Sequence, residues 1–206
     1  MRIAVLAGGR GARLDGAKPV APLAGRPLIK HVLDASRATG LPLLVVAKRA
    51  TPLPALDEQV VLEPDAPHHP LVGVIAALRA LPAGEDRVLA VGCDMPFVTA
   101  QLLLALAAGG GSAALECDGR LQPLPACYPL SALDALQRSL ATQRPLREAL
   151  AGLRPTVIAQ PQLRALGDAA RLLFNVNDDD SLGEAERLLS HPPPPRARPP
   201  RPARRG

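Results

Sequence analysis

Four short, uninterrupted apolar runs constrain this chain more than any other feature: Ile3 to Ala7, Leu43 to Ala47, Val60 to Leu62 and Val88 to Val91. Each is too short for a helix and lacks the polar/apolar alternation of a strand with one wet face, so each reads as a strand covered on both sides. Between the runs the spacing turns helical. Leu28, Ile29, Val32, Leu33 and Ala35 recur at helical intervals between Pro27 and Thr39, with Gly40 and Pro42 as stop signals, and Val72 to Leu81 repeats the pattern before Pro82. Strands and helices in alternation predict an α/β fold, a Rossmann-like, doubly wound and mostly parallel sheet with helices on both faces. Later, Ala100 to Ala108 reads as a helix and Asp180 to Leu189 as a closing one, while Ala113 to Glu116 and Gln122 to Tyr128 flank Asp118 and Gly119 like a hairpin.

A hydrophobic content of 48% in 206 residues suffices for one sizeable core. Aromatic residues make up 1%, so that core must be aliphatic and stacking on nucleobases is nearly unavailable. The net charge of +5 has a local source, because Arg196, Arg198, Arg201, Arg204 and Arg205 crowd the end of the chain and 19 basic residues balance 19 acidic ones elsewhere. The body is neutral and offers no basic face for nucleic acid. The expected division is therefore a domain over residues 1–189 and a Pro/Arg-rich tail over 190–206. The tail should be disordered or polyproline-like, a solvated extension or a weak contact for an acidic partner. Cys93, Cys117 and Cys127 are odd in number and lack metal-binding or pairing spacing, which fits a reducing compartment. No signal peptide and no apolar run of membrane-spanning length is evident, so a cytoplasmic protein away from membranes is expected.

In open α/β sheets chemistry gathers just beyond the carboxyl ends of the strands. The first strand is followed by LAGGRGARLDGAKP. Gly8 and Gly9 permit a sharp turn that brings backbone N–H groups near phosphate oxygens, and Arg13 and Lys18 add positive charge. The segment is neither a P-loop, since Ala17 precedes Lys18 and Pro19 replaces the Ser or Thr, nor a dinucleotide fingerprint, since Leu14 takes the third glycine's place. The fourth strand ends in VGCDMP, which sets Asp94 at a carboxyl edge. A role for Asp94 as cap of the helix near Thr99 is disfavoured by the intervening Pro96 and Phe97. A cationic glycine turn facing a carboxylate suits a nucleoside triphosphate with Mg2+, which prefers hard oxygen ligands. The four histidines, His31, His68, His69 and His191, have no spacing suited to a transition metal and take no catalytic role.

These segments, with GRPLIKHVLDA, PLVGVIAAL, QPLPACY and FNVNDDDSL, resemble the molybdenum cofactor guanylyltransferase family of the NTP transferase superfamily over roughly residues 1–189. The resemblance implies transfer of GMP from GTP to the terminal phosphate of molybdopterin, with release of pyrophosphate. It implies nucleotide contacts from Leu6, Ala7 and Gly8, a phosphate contact from Lys18, and Mg2+ and nucleotide on Asp94. Asp65, after the LEP segment, matches a nucleotide-binding aspartate, and Asn175 and Asn177 match asparagines near the acceptor. Leu14, Asp15, Ala17, Val46 and the acidic run Asp178 to Asp180 depart from the family's usual residues.

The expected mechanism is in-line attack of an acceptor phosphate oxygen on the α-phosphorus, with Arg13, Lys18 and Asp94 as the catalytic set and no covalent intermediate. A cytidylyltransferase for the same cofactor, or a transferase for a sugar phosphate or related acceptor, would share the loop and Asp94. Gly8, which makes the loop LAGG rather than LAAG, favours guanine. A non-catalytic nucleotide- or pterin-binding module is the alternative of another class. The expected partners are GTP, the molybdopterin-type acceptor and, transiently, other cofactor-biosynthesis proteins, around a monomer or weak oligomer. All of this requires Lys18 and Asp94 to meet in one crevice.

Overall fold

The computed structural model describes residues 1–9 and 17–191; Arg13 and the tail beyond His191 lie outside them. In chain order the strands are β1 (Arg2–Leu6), β2 (Pro22–Leu23), β3 (Arg26–Pro27), β4 (Leu43–Ala47), β5 (Gln59–Leu62), β6 (Arg87–Gly92), β7 (Ala113–Cys117), β8 (Arg120–Pro129) and β9 (Thr156–Ile158). The α-helices are α1 (Leu28–Arg37), α2 (Pro70–Arg79), α3 (Ala100–Ala107), α4 (Leu133–Ala141), α5 (Leu146–Gly152), α6 (Gln160–Leu166), α7 (Ala169–Leu172) and α8 (Asp179–Ser190). The main sheet runs β5-β4-β1-β6-β8-β7-β9. β8 is antiparallel to both neighbours, whereas the β5-β4-β1-β6 pairs and the β7-β9 pair are parallel.

β1 shows why its run is apolar on both faces. Ile3, Val5 and Ala7 pack with α1 and α3 side chains such as Ile29, Val32 and Leu102. Ala4 and Leu6 pack on the opposite face with α2, α4 and α5 side chains such as Leu71, Leu136 and Leu150. Alternate residues thus enter two separate cores, and burying each large aliphatic chain contributes about 1.5–3 kcal/mol. From β1 the chain crosses to β4 on one side, while β6 lies on the other. That reversal opens a crevice at the carboxyl ends of β1 and β6.

The expected elements are present with shifted ends. The first helix begins at Leu28, because Pro27 pairs with Pro22 in a small hairpin turned through Ala24 and Gly25, both with positive φ. α2 begins two residues before Val72, because Pro70 occupies the opening position and His69 Nδ1 accepts the Leu71 N–H at 3.1 Å. The hairpin of β7 and β8 forms around Asp118 and Gly119, with a register shift between Ala114 and Leu115. The β2–β3 hairpin, β9 and helices α4 to α7 were not evident from the sequence pattern. Among the described residues no helix is long and apolar enough to cross a membrane.

Candidate active site

Lys18 opens a short 3-10 turn whose next residue, Pro19, is buried, and this aims the lysine side chain at the end of β6. Its Nζ donates to Asp94 Oδ2 at 2.9 Å and to Asn177 Oδ1 at 3.0 Å. The two charged side chains are 12% and 23% exposed, shielded enough for the attraction to matter and open enough to receive a ligand.

Asp94 owes its position to its neighbours. The Cys93 N–H donates to the Leu6 carbonyl at 3.0 Å and so extends the β1–β6 pairing one residue beyond Gly92. Gly92 must lack a side chain, since a Cβ there would stand 2.3 Å from Asp94 Oδ1. Thr99, not Asp94, caps α3 by accepting the Leu102 N–H, which leaves the Asp94 carboxylate to the crevice. The Val176 N–H donates to the Asp94 carbonyl at 2.8 Å, and the Val176 side chain is buried with Phe97, Leu23 and Leu28. This anchor swings Asn177 over Lys18. Asp178 then caps α8 by accepting the Ser181 N–H, and Asp179 and Asp180 occupy the first turn, where carboxylates are favoured.

A cavity of about 330 Å³ runs from Asp94 along the tips of β1, β4 and β5 to the start of α2. Leu6, Gly8, Gly9 and Asp94 line it. So do Lys48 and Glu63, which the sequence reading had not singled out. Glu63 directly follows β5 and Lys48 directly follows β4, so both stand just past a strand's carboxyl end, as Asp94 does two residues beyond β6. Applying that rule to every strand would have found them. The Glu63 N–H donates to the Ala47 carbonyl at 2.9 Å. Its carboxylate, 7% exposed, lies 3.2 Å from Lys48 Nζ. A Cβ on Gly8 would come within 1.9 Å of Glu63 Oε1, and one on Gly73 within 2.9 Å of Oε2. Burial pushes the Glu63 carboxyl above the ordinary range, and Lys48 opposes that rise.

Other residues singled out in the sequence lie elsewhere. Ala7 is buried in the core, and its N–H is committed to the Val46 carbonyl at 2.7 Å. Asp65 is exposed and does not line the cavity. Asn175 is exposed as well, its amide donating to the Leu173 carbonyl at 2.7 Å.

A family model described as the MobA-like NTP transferase domain matches residues 3–157. The chain belongs to the MobA-like NTP transferase family. A molybdenum cofactor guanylyltransferase of Pseudomonas putida is 38% identical over 189 residues, covering 87% of this chain and 94% of its own. One from Rhizobium leguminosarum is 32% identical over 197 residues, covering 90% and 91%. Among solved structures, molybdopterin-guanine dinucleotide biosynthesis protein A from Archaeoglobus fulgidus superposes with a TM-score of 0.76 at 26% identity, covering 92% of this chain and 99% of that one. As a MobA-like NTP transferase the chain is a nucleotidyltransferase, and its family implies a nucleotide substrate and a divalent metal.

The residues present fit one kind of metal. Among the described residues no group of three or more His, Cys, Asp and Glu side chains could hold an ion by itself, so a closed zinc-type site does not fit. A hard ion that keeps its waters and takes most of its oxygen ligands from phosphates needs only one or two carboxylates, and Asp94 meets that requirement. A larger groove of about 610 Å³ lies along β5, α2 and α4, but its lining is mostly aliphatic, with Arg79 its only charged residue. It lacks the charged groups that a triphosphate needs.

Proposed function

We propose that this MobA-like NTP transferase is a molybdenum cofactor guanylyltransferase, which transfers GMP from GTP to the terminal phosphate of molybdopterin and releases pyrophosphate. The observation that carries the proposal is the convergence of Lys18, Asp94 and Asn177, from three remote segments, with Asp94 also lining the cavity. The guanylyltransferases from Pseudomonas and Rhizobium match nearly the full chain and favour this reading over other acceptors.

In the proposed complex the nucleotide lies along the tips of β1, β4 and β5. The triphosphate sits at the Lys18–Asp94 end and the base towards Lys48 and Glu63. Backbone N–H groups at Gly8 and Gly9 face the phosphates, where the missing side chains allow close approach. Asp94 is the residue that would hold Mg2+, which when bound neutralises phosphate charge. Lys18 Nζ turns from Asp94 Oδ2 to a phosphate oxygen and balances the charge that moves onto the departing pyrophosphate. Asn177 keeps the lysine aimed, and Arg13, which lies outside the described residues, is the second cation the sequence offers.

An oxygen of the acceptor phosphate attacks the α-phosphorus in line with the bond to the bridging oxygen. One phosphorus–oxygen bond forms as the other breaks, and the electron pair leaves on pyrophosphate. The attacking oxygen is already anionic, so no side chain need take a proton, and catalysis rests on alignment and charge balance. Cys93 is no rival nucleophile: burial pushes its thiol far above the ordinary range and it faces the core. The three cysteines are free thiols, which suits the cytoplasmic setting proposed for the enzyme.

The test is a panel of GTP, CTP, ATP and UTP with Mg2+, read by thermal shift and by pyrophosphate release in the presence of molybdopterin. Selective stabilisation by GTP together with molybdopterin-dependent pyrophosphate release is expected. Release with CTP alone, or GTP binding with no release, would overturn the assignment.

A further inference from the structure

The main sheet ends on two unequal edges, β9 and β5. At β9, Pro155 stands just before the first residue of the strand, and a proline offers no N–H to a further strand. β5 has neither a proline nor a charge within Gln59–Leu62, and it joins β4 in an unbroken register. Of the devices that keep a sheet edge from pairing it has only shortness. Among the described residues no strand pairs with its other side, and Val60 and Leu62 are 40% and 54% exposed. An apolar edge of this kind is a template for another strand.

The backbone fixes which groups that edge offers. The Glu63 N–H donates inward to the Ala47 carbonyl, and along a strand the N–H and C=O of successive residues point to opposite sides. Val61 therefore turns its backbone groups inward with Glu63, while Val60 and Leu62 turn theirs out. The next outward position is Pro64, which has no N–H. A second copy of β5, running antiparallel with Val61 on the twofold axis, satisfies what remains. Val60 then exchanges N–H and C=O bonds with Leu62 of the second copy, and Leu62 does so with Val60 of the second copy. Within β5 no other antiparallel register engages both residues of both chains.

The surfaces beside the edge agree. A twofold axis through such a pair stands perpendicular to the sheet, so the face that carries α2 in one copy continues as the α2 face of the other. That face bears the apolar groove of about 610 Å³, whose lining includes Val61, Ile75, Ala76 and Leu140. α2 starts beside the carboxyl ends of the strands, where Pro70 lines the nucleotide cavity, and it ends before β6 begins. Its last residue, Arg79, the charged member of the groove lining, thus lies towards the amino end of β5. Antiparallel pairing sets that end against the loop that follows β5 in the other copy, where Asp65 is exposed. The contact repeats at both ends of the seam, so the surface is complementary to itself in backbone, apolar area and charge.

We infer that β5 is the seam of a homodimer. Two copies of the chain pair antiparallel about Val61 into one continuous sheet, the two α2–α4 grooves close against each other, and Arg79 of each copy meets Asp65 of the other. The inference does not rest on the nucleotide reading.

The experiment is sedimentation velocity on the full chain across concentrations from about 1 to about 200 μM. A short seam belongs with the smaller specific interfaces, so wild type should pass from monomer to dimer with a dissociation constant on the order of 10 μM. Val60→Pro removes an outward N–H and leaves the ladder to β4 intact, and Leu62→Lys puts a charge on the seam. Each should weaken the dimer about tenfold or more, with the melting temperature of the dilute monomer little changed. Asp65→Arg sets two cations against each other and should weaken the dimer about tenfold, and adding Arg79→Asp to it should restore the wild-type constant. A wild type that stays monomeric throughout overturns the inference, as does a dimer that Val60→Pro and Leu62→Lys both leave at full strength. If Val60→Pro fails to fold, Leu62→Lys, at a side chain already half exposed, decides alone. An Asp65→Arg chain that dimerises as wild type does overturns the antiparallel arrangement, and rescue by the double substitution supports it.

Discussion

The two ends of the central strands use the same ionic chemistry to opposite effect. At the amino end, where β1 begins and β6 is about to begin, Arg2 Nε and Nη2 donate to Glu85 Oε2 and Oε1 at 2.9 and 2.7 Å. Both carboxylate oxygens are engaged by one planar guanidinium, and the pair closes on itself. At the carboxyl end, among the described residues, Asp94 meets Lys18 through Oδ2 and Glu63 meets Lys48 through Oε1. Within the described residues each carboxylate there leaves its second oxygen to the crevice, and each lysine is a point charge that can turn to another anion. The sheet thus carries a saturated pair where it needs only stability and unsaturated pairs where a ligand must enter.

If that contrast is right, substitutions at the carboxyl end should affect chemistry far more than stability. The largest effect is expected from Asp94→Asn. It keeps the shape over Gly92 but removes the charge proposed to hold Mg2+, and turnover should fall roughly a thousandfold. Pyrophosphate release at saturating GTP measures it, and a variant still near parental activity with Mg2+ would break the comparison at its centre. Lys18→Met comes next, with kcat/KM expected to drop about a hundredfold and the melting temperature little changed, since the pair it leaves is partly wet. Gly8→Ala should follow at about tenfold weaker GTP binding, because the new methyl must displace the Glu63 carboxylate from the cavity wall. Unchanged GTP affinity in a folded Gly8→Ala protein would show that Glu63 does not face the nucleotide.

The sequence carried the sheet's central half well, for a physical reason. β1, β4 and β6 are buried on both faces, so their composition alone marks them as strands, and their ends mark the crevice. β5 was legible as a strand from its apolar run, but the expectation that both its faces are covered fails, because it is an edge strand with Val60 and Leu62 well exposed. The second half was less legible. α4 to α7 are short or mixed in composition, and β9 is three residues held by β7. At the site, Lys18 and Asp94 could be paired from sequence because a loop rich in glycine and a carboxylate after a buried strand are both unusual. Glu63 was overlooked for Asp65, which lies two residues further into an exposed loop. Glu63 directly follows the apolar run and Asp65 does not, a local difference that the post-strand rule uses, while the glycines at positions 8 and 73, remote along the chain, make room for the Glu63 carboxylate. Asn177 likewise depends on the Val176 N–H finding the Asp94 carbonyl, a contact no spacing rule contains.

The smallest effect sharpens the comparison from the other side. Glu85→Gln should leave turnover and GTP affinity unchanged while lowering unfolding free energy by about 1 kcal/mol, the scale of a well-aligned but partly exposed ion pair. Its pH dependence has a definite sign. Hydrogen bonds from Arg2, with the guanidinium's charge adding to them, hold the Glu85 carboxyl below its ordinary range. Folding is therefore favoured by ionisation of this group. The contribution is complete above the pKa of the unfolded chain and disappears as the pH falls through the lowered folded value. Urea unfolding of wild type and Glu85→Gln should differ at neutral pH and converge in acid. A difference that persisted in acid would mean the glutamate acts through packing rather than charge, and a loss of turnover at neutral pH would mean the amino end of the sheet is coupled to the crevice after all.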